Sequence, residues 1–494
     1  MTIASEIARI QGNIEDAYNA CAAKGATMPA TNNSASLAST IDTISGGGGS
    51  GGVVGNYYVD NGIAYAFTGN VIGAFDSIVT ISNNAMNNAL YDFYKINTPV
   101  VFPRLETIER NGMNNCFQYC TNIPSVSFPK LNSIDNQGMI TAFDHCNKMQ
   151  TADFPNLTSV NESGLRRAFY WCTNLVSANF QNLTNVQNYG FWGAFEYCNN
   201  LSSLNFDSLQ YAGHSAFYYR TFAGAKLTAV NFPSLISVGD MCFYSESVSD
   251  FPYATSINFQ SLVNTGVNSF RRLLYNCSNF TGKANFPSLQ EIGQNGFSES
   301  FYNSNVTEAY FPNLITINPY GMNYCFFNCK SLTSINFASL VNLPTVACFY
   351  KTFANNFNLT EAVFPNLEMV YGADSAFQNC YNLTNVLMPK LKIIESGGLY
   401  NTFYCCNNIT TINFANVTNI TTNSCRNTFN GCANLRSLFF PNLSNATNTG
   451  LIDMLYGCTD VTVHFPSAMQ STMSSWGSVT SGFSGTNTTV LFDL

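Results

Sequence analysis

The sequence predicts a repeat solenoid of the β-rich α/β class, with about 15 units of about 26 residues, each holding a short strand and a short helical turn. Three observations lead to this prediction. A Phe-Pro-x-Leu motif recurs at nearly constant spacing, a Phe-x-x-Cys motif follows it in phase, and the residues before each Phe alternate between apolar and polar.

The Phe-Pro-x-Leu motif marks the start of each unit. Intact copies begin at Phe102, Phe128, Phe154, Phe232, Phe286, Phe311, Phe364 and Phe440. Degenerate copies begin at Phe180, Phe206, Phe259, Phe337, Met388 and Phe414, and a last Phe-Pro begins at Phe465. Phe75 is interpreted as the start of a degenerate first copy. Because proline has no N–H to donate, we expect each strand to end at the Phe.

The second landmark places a cysteine at one fixed position of the unit, as in Phe117-Gln-Tyr-Cys120. Ten of the 17 cysteines share this position: Cys120, Cys146, Cys172, Cys198, Cys277, Cys329, Cys380, Cys406, Cys432 and Cys458. No two Cys-x-x-Cys motifs stand at zinc-site spacing. We therefore interpret the cysteines as a ladder of small buried side chains, neither disulfide-bonded nor metal-binding.

Each unit has one strand and one turn. In Ser203-Leu204-Asn205-Phe206 the apolar residues alternate with polar ones, which is the pattern of a half-buried strand. The stretch 112–117, which begins with Gly-Met and ends with Cys-Phe, predicts a short helical turn opposite the strand. A unit of this size cannot bury its own apolar side, so the units must stack around one continuous core.

Together these landmarks resemble the BspA-like class of leucine-rich repeats, whose units carry a Leu-x-x-Ile-x-Leu-Pro strand followed by Ala-Phe-x-x-Cys-x-x-Leu. The resemblance spans about four-fifths of the chain, with Phe in place of the strand Leu and a slightly longer unit. It implies a binding scaffold without catalytic activity.

The chain divides into five segments. Residues 102–466 form the solenoid, residues 53–101 an N-terminal cap with a degenerate first repeat, and residues 467–494 a C-terminal cap in which Val490-Leu-Phe492 is expected to form a strand. Residues 46–52 are a Gly-rich linker. Residues 1–45 predict a helical attachment or oligomerisation module, with isoleucines at helical spacing from Ile3 to Ile14.

Residues 1–45 resemble a short module near the termini of tailed-bacteriophage virion proteins. The resemblance rests on Lys24-Gly25, the step at Pro29 and the second Ile-rich helix that contains Ile41 and Ile44. It implies docking to other virion or tail proteins, or self-association into a homo-oligomer.

Composition excludes several classes of function. Only 10% of the residues are charged and the net charge is -8, which argues against a nucleic-acid partner. No apolar run is long enough for membrane insertion, and acidic residues such as Glu6 interrupt any secretory leader. With three histidines and scattered carboxylates, the chain is predicted not to be an enzyme and to need no cofactor. Glu308 and Glu361, about 10 Å apart at ladder spacing, leave a glycan hydrolase as an alternative.

The first candidate binding site is a row of aromatic residues just before the ladder cysteine. It contains Tyr119, His145, Trp171 and Tyr197, with Trp192 nearby. Aromatic rings of this kind stack against sugars, and Arg166 and Arg167 could add directional hydrogen bonds. Packing of the rings between repeats is the alternative.

The second candidate site is the outward strand position before each Phe. Most units place Asn there, where a hydrogen-bonded amide ladder could form. The second half of the chain instead has Tyr310, Val363, Leu387 and Phe439, which suggests an exposed contact patch. The alternative is a repeat that has drifted in sequence.

These features predict a non-enzymatic binding protein, a phage tail-associated receptor-binding protein located on the virion, whose solenoid recognises a host cell-surface glycan or protein. A bacterial cell-surface adhesin of the BspA-like class is the runner-up, and a structural virion fibre or decoration protein is a further alternative.

Overall fold

A computed structural model describes residues 75–246, 250–476 and 483–494. The chain winds into a parallel β-solenoid of about 16 turns, one more than the repeat count predicts. The predicted helical module 1–45, the linker 46–52 and the first part of segment 53–101 lie outside the described residues. Within those residues, no helix is long and apolar enough to cross a membrane.

Each turn of the solenoid contributes one strand to each of two parallel series. The first series precedes the repeat Phe and comprises β2 (Val100–Val101), β4 (Ser125–Ser127), β6 (Thr151–Asp153), β8 (Ser177–Asn179), β10 (Ser203–Asn205), β12 (Ala229–Asn231), β14 (Ser256–Asn258), β16 (Lys283–Asn285), β18 (Glu308–Tyr310), β20 (Ser334–Asn336), β22 (Glu361–Val363), β24 (Asn385–Leu387), β26 (Thr411–Asn413), β28 (Ser437–Phe439), β30 (Thr462–His464) and β31 (Thr489–Leu491).

The second series follows the repeat Leu and was not anticipated from the sequence. It comprises β1 (Thr80–Ile81), β3 (Thr107–Ile108), β5 (Ser133–Ile134), β7 (Ser159–Val160), β9 (Asn185–Val186), β11 (Tyr211–Ala212), β13 (Ser237–Val238), β15 (Asn264–Thr265), β17 (Glu291–Ile292), β19 (Thr316–Ile317), β21 (Asn342–Leu343), β23 (Met369–Val370), β25 (Ile393–Ile394), β27 (Asn419–Ile420) and β29 (Asn445–Ala446). Two-residue strands give too little alternation to be recognised from sequence.

The register of both series follows the repeat. Val126 pairs with Ala152 in the first series, and Ile134 pairs with Val160 in the second. The partners are equivalent residues of neighbouring turns, so every side chain stacks on its own counterpart. The first ten strands of the second series form one continuous sheet, whereas the first series is divided into shorter sheets.

The third side of each coil, which we call the turn face, is not helical apart from one 3₁₀ turn at Asn448–Leu451, so the predicted helical turn is wrong for the other coils described. It is a continuous series of overlapping β-turns. Between residues 112 and 120, the N–H of Cys116 donates to the carbonyl of Met113 within the coil. The neighbouring N–H of Phe117 donates to Ala142 in the next coil. Alternate N–H groups thus close turns and join coils, which satisfies this backbone without a helix.

A left-handed backbone recurs at every fourth residue of the turn face. In one coil Gln137, Thr141 and His145 have φ of 62°, 49° and 60°. Asparagine is among the few residues that tolerate this conformation, because its short polar side chain can bond locally. Many of these positions are therefore asparagine, including Asn111, Asn115, Asn268, Asn276, Asn295, Asn303, Asn328, Asn355, Asn379, Asn423 and Asn427.

The core is a continuous column of stacked phenylalanines. Phe102, Phe128 and Phe154 stack with ring centroids 5.2 and 4.8 Å apart, and a second column runs through Phe117 and Phe143 at 5.3 Å. Phe75 is buried and stacks on Phe102 at 4.4 Å, so the degenerate first copy occupies the repeat position.

The first column is interrupted where Met388 replaces Phe. An apolar cavity of about 20 Å³ lies at this interruption, lined by residues that include Phe364, Phe377 and Met388. The smaller, more flexible methionine side chain leaves space that a phenyl ring fills in the other coils.

The C-terminal segment closes the solenoid. Two 3₁₀ helices (Asn448–Leu451 and Ser467–Met469) and the short helix α1 (Gln470–Ser474) precede β31, which pairs in parallel with β30. The strand expected at Val490-Leu-Phe492 thus forms one residue earlier, and Phe492 packs against Phe465 with ring centroids 6.1 Å apart.

Glycine is required where the turn face begins, because neighbouring side chains come too close for a Cβ. At Gly164 an added Cβ would lie 2.8 Å from Val160 Cγ1 and 3.1 Å from the carbonyl oxygen of Asn161. We expect Gly164→Ala to lower the free energy of unfolding by about 1–3 kcal/mol, measured by urea denaturation. Gly397→Asn is the matched control, since nothing lies within 4 Å of its Cβ position and Asn tolerates its φ of 72°. Equal stability of the two variants would contradict this account.

Candidate ligand-binding face

The predicted aromatic row forms a continuous stack on the turn face. Ring centroids of Tyr119 and His145 lie 4.7 Å apart, those of His145 and Trp171 lie 5.6 Å apart, and those of Trp171 and Tyr197 lie 4.8 Å apart. Tyr91 meets Tyr119 edge to face, with ring centroids 5.6 Å apart, from one residue before the row position Asp92 of its coil. The sequence does not predict this contact, because that coil carries no ladder cysteine.

The row departs from the local backbone rule. Tyr119, His145, Trp171 and Tyr197 have φ between 58° and 63°. The equivalent positions of other coils are mostly Asn or Gly: Asp92, Gly224, Asn276, Asn303, Asn328, Asn355, Asn379, Cys405, Gly431 and Gly457. A bulky residue in this conformation costs about 1–2 kcal/mol. Four consecutive exceptions of this kind are typical of positions where something other than local stability is selected.

The rings leave their edges to solvent. His145 and Trp171 are parallel within 5°, and Tyr197 covers Trp171 from the other neighbouring coil. The side of Trp192 facing one neighbouring coil is covered by Tyr219 at 4.2 Å, and the guanidinium of Arg166 lies 4.3 Å from the same ring. Neither tryptophan therefore has a free ring face on which a sugar could stack as expected, although 38% of Trp171 is exposed. Packing between repeats, the alternative, accounts for this contact geometry.

Five arginines of the turn face each have the guanidinium over an aromatic ring: Arg166, Arg167, Arg220, Arg271 and Arg272. Arg220 pairs with the buried Glu196 at 3.4 Å, and Arg272 pairs with Glu299 at 2.9 Å. Stacking on aromatic rings holds these planar groups in fixed orientations.

The second predicted site is divided by asparagines. Val363 pairs directly with Leu387, which is 48% exposed. Tyr310 is separated from Val363 by the coil of Asn336, and the coil of Asn413 separates Phe439 from Leu387. Phe439 instead stacks on His464 at 4.4 Å. The amide ladder forms in part, since Asn258 Nδ2 donates to Asn231 Oδ1 at 2.9 Å.

A groove that the sequence analysis missed, the corner groove, follows the aromatic row. Its volume is about 840 Å³, and it is lined by Tyr94, Lys95, Asn97, Asn122, Pro124, Lys148, Gln150 and Asn174. The chain turns sharply between row and groove, since the N–H of Thr121 donates to the carbonyl of Tyr119 at 2.8 Å. Each of Asn122, Lys148 and Asn174 lies three residues after an aromatic residue of the row, and Tyr94 lies three residues after Tyr91. No motif marks these residues, because the groove arises only when four coils are stacked.

The corner groove offers an exposed ring and unengaged polar groups. Tyr94 is 58% exposed, and no ring contact involves it among the described residues. Within the same part of the chain, the side chains of Lys95, Lys148 and Gln150 make no hydrogen bond or ion pair to other residues. Asn122 is fixed through its Nδ2, which donates to the carbonyl of Tyr94 at 2.6 Å. Such a lining can donate to and accept from a polyhydroxyl ligand.

Two of the buried carboxylates lie beneath the turn face. Burial raises the pKa of Asp144, which accepts hydrogen bonds from Gln118 Nε2 at 2.7 Å and contacts His145 Nδ1 at 2.5 Å. Burial also raises the pKa of Glu196, although Arg220 and Arg167 oppose the shift.

Asp250 is the third buried carboxylate, and burial raises its pKa to about 7 in spite of Arg220. The charged forms of all three groups are therefore disfavoured by the low-dielectric surroundings.

The acidic pair considered for glycan hydrolysis is held apart. Glu308 forms an ion pair with Lys283 at 2.6 Å, while Glu361 accepts from Asn385 Nδ2 at 3.2 Å. Ser334 is the partner of Glu308 in the next coil, so a full coil lies between the two carboxylates. Among the described residues, no group of three His, Cys, Asp or Glu is arranged to hold a metal ion.

The ladder cysteines are buried, as predicted, and all sixteen cysteines of the described residues are free thiols. Each ladder thiol contacts the previous coil. Cys146 Sγ donates to the carbonyl of Phe117 at 3.2 Å, and Cys172 Sγ donates to that of Phe143 at 3.1 Å. The thiol thus satisfies a carbonyl that faces the core.

The two parallel strand series and the turn face define a leucine-rich-repeat solenoid, and the family comparison identifies which class of these repeats the chain has. The model of the BspA-type leucine-rich repeat region matches residues 113–249, 194–317, 251–362, 298–427 and 350–475, which together cover well over half of the chain. The chain belongs to this family. No curated protein matches it.

The comparison with solved structures finds three bacterial proteins among its matches, each with a TM-score below 0.5. A leucine-rich repeat protein from Bacteroides ovatus is 16% identical, with 80% of this chain and 92% of that chain covered and a TM-score of 0.42. A leucine-rich cell surface protein from Faecalibacterium prausnitzii is 17% identical over 67% and 82% of the two chains, with a TM-score of 0.28. The pneumococcal vaccine antigen PcpA is 14% identical over 80% and 89%, with a TM-score of 0.33.

The buried thiols should be unreactive in the native protein. Burial raises the pKa of Cys120 to about 12 and that of Cys348 to about 11, so neither is a thiolate at pH 8. In a Cys21→Ser chain we expect a disulfide reagent to modify at most Cys405, the half-buried thiol, until urea unfolds the solenoid. Titration in urea, where all sixteen thiols should react, is the control. Rapid native modification of several thiols would contradict the ladder.

Asp250 should make stability fall with rising pH. Its pKa is about 7 in the folded chain against an ordinary value of 3.8. Its contribution is therefore fully present below about pH 4 and is lost as the pH rises through 7. We expect the unfolding temperature to fall between pH 5 and pH 8, and to fall less in Asp250→Asn. Asp76→Asn, at an exposed site, should keep the wild-type slope. Parallel slopes in all three proteins would rule out this role of Asp250.

Proposed function

We propose that the chain is a non-enzymatic recognition protein that binds a saccharide of a host cell surface along the corner groove. The observation that carries the proposal is the groove itself, about 840 Å³ in volume and lined by amides, two lysines and the exposed ring of Tyr94. It spans four coils and is open, which suits an extended chain rather than an enclosed small molecule.

The lining supports a saccharide on chemical grounds. Sugars present many hydroxyl groups and an apolar ring face. Asn97, Asn174 and Gln150 provide both donors and acceptors, and Tyr94 provides a ring that no neighbouring aromatic covers among the described residues. Sugar stacking, expected first at the tryptophans, is therefore reassigned to Tyr94.

The aromatic row, whose residues precede Asn122, Lys148 and Asn174 of the groove by three positions, supports the same proposal. Its ring edges carry the hydroxyls of Tyr119 and Tyr197 and the indole N–H of Trp171, which make no hydrogen bond among the described residues. Stacking fixes these polar edges, so little side-chain entropy is lost when they contact a ligand. This also gives a reason for keeping aromatic residues in a left-handed backbone.

The setting we propose is a phage tail, where residues 1–45 dock to other virion proteins or join copies of the chain. This part of the proposal rests on the sequence resemblance of residues 1–45. A bacterial cell-surface adhesin fits the family equally well, and both settings need the same binding face. Attachment through residues 1–45 would be tested by adding that segment to virion components, with a chain starting at residue 53 as control.

A glycan array tests the binding function. We expect the wild-type chain to bind a defined set of glycans, and Tyr94→Ala or Lys148→Ala to weaken that binding about tenfold. Trp171→Asn should weaken binding while changing the free energy of unfolding by about 1 kcal/mol or less, because relief of backbone strain offsets lost ring contacts. The matched control is Tyr381→Ala, an exposed tyrosine on distant coils. Binding that survives all three groove and row variants would refute the proposal.

A further inference from the structure

Arg166 and Arg167 differ from the other arginines stacked on rings of the turn face. Arg220, Arg271 and Arg272 each form an ion pair with Glu196 or Glu299. In the described part of the chain, no carboxylate is paired with Arg166 or Arg167, and no hydrogen bond engages either guanidinium. Neither guanidinium is therefore neutralised by a paired carboxylate of the described residues.

The two guanidiniums share one aromatic platform. The central carbon of Arg166 lies 4.3 Å from the ring centroid of Trp192, and that of Arg167 lies 5.0 Å from the same centroid. The two carbons are therefore no more than about 9 Å apart. Arg167 also lies 5.0 Å from the ring of Tyr170 and 5.4 Å from that of Tyr219. We call Arg166, Arg167 and Trp192 the arginine platform.

The local backbone makes room for this arrangement. Gly193 has a φ of 62°, and a Cβ there would lie 3.3 Å from Arg167 Cγ. A larger residue would displace the Arg167 side chain. Arg167 Nε is shielded from solvent and finds no acceptor among the described residues. The side chain is thus held in place while its Nε–H has no acceptor, and a fixed guanidinium of this kind is preorganised for an anion.

Nearby carboxylates do not satisfy the arginine platform. Asp144 and Glu196 lie close enough to interact electrostatically with Arg167. Asp144 is engaged by Gln118 and His145. Glu196 Oε1 is paired with Arg220 at 3.4 Å, and Glu196 Oε2 is buried with no hydrogen-bond partner among the described residues. Burial raises the pKa of both carboxyl groups, and the charge of Arg167 opposes that rise in each.

We propose that the arginine platform binds an oxyanion group, a carboxylate or a sulfate, of an acidic saccharide. The inference rests on the proposed saccharide-binding function and names the chemical class of its ligand. Planar guanidinium groups match both kinds of oxyanion by paired N–H donors, which lysine cannot reproduce. Arg166 and Arg167 lie in the same coil as Asn174, at the end of the corner groove, and Trp192 lies in the next coil, so one extended ligand could reach both sites.

The test uses Trp192 as a reporter. In a full chain with Trp171→Phe and Trp476→Phe, Trp192 is the one remaining tryptophan. Oligogalacturonate, sulfated dextran oligomers and neutral dextran are titrated while its emission is recorded. We expect at least one acidic probe to change the emission and to bind more weakly as salt rises, with no change from neutral dextran.

Variants then assign the binding to the platform. Arg166→Gln/Arg167→Gln should weaken binding of the acidic probe about tenfold, and Arg166→Lys/Arg167→Lys should recover it only in part. Arg271→Gln, which alters an ion-paired arginine over Tyr244, is the matched control and should bind as the reporter chain does. Unfolding temperatures check that each variant is folded.

Each outcome decides between distinct conclusions. Binding of only one acidic probe identifies carboxylate or sulfate as the recognised group. The proposed role of the platform is wrong if neither acidic probe changes the emission, or if the Gln double variant binds as tightly as the reporter chain. An ion pair between Arg167 and Glu196 would give that result. If array binding still depends on Tyr94 and Lys148, the proposed function stands without the platform. If binding of the acidic probes requires the two arginines but not Tyr94 or Lys148, the platform is supported and the proposed role of the corner groove is wrong.

Discussion

The structure depends on hydrogen bonds between neighbouring coils. A coil of about 26 residues has strands of two or three residues and can satisfy few of its own backbone groups. Both strand series pair only between coils, and on the turn face every second N–H does the same, as Phe117 does with Ala142. Each coil is therefore stable because of its neighbours, and equivalent residues must stack in columns.

Because equivalent residues stack in columns, the residue type at one repeat position determines the chemistry of a whole strip of the surface. Where the left-handed column holds asparagine, amides bond along it, as Asn303 Nδ2 does with Asn276 Oδ1 at 2.9 Å. Where it holds Tyr119, His145, Trp171 and Tyr197, it becomes a rigid ridge beside the corner groove. The same backbone thus produces an inert polar surface in one region and a candidate recognition surface in another.

The arginines stacked on rings of the turn face show the same division of roles. Those paired with Glu196 and Glu299 neutralise one buried and one half-buried carboxylate of the turn face. Arg166 and Arg167, stacked on Trp192 and left without a carboxylate among the described residues, leave positive charge on a chain whose net charge is -8. Local charge, rather than net charge, governs which ligand a surface attracts.

The sequence by itself determined the repeat, the strand before each Phe, the inward cysteines and the family, because these depend on periodic burial that a 26-residue pattern displays. Only the tertiary structure decided the rest. The turn face needed φ values that Gly-Met-x-x-Cys-Phe does not reveal, and the second strand series was too short to show a period. The occupied faces of Trp171 and Trp192 and the corner groove at Tyr94 and Lys148 arise from stacking residues about 26 positions apart. Contacts between coils are set by three-dimensional spacing, which no single unit encodes.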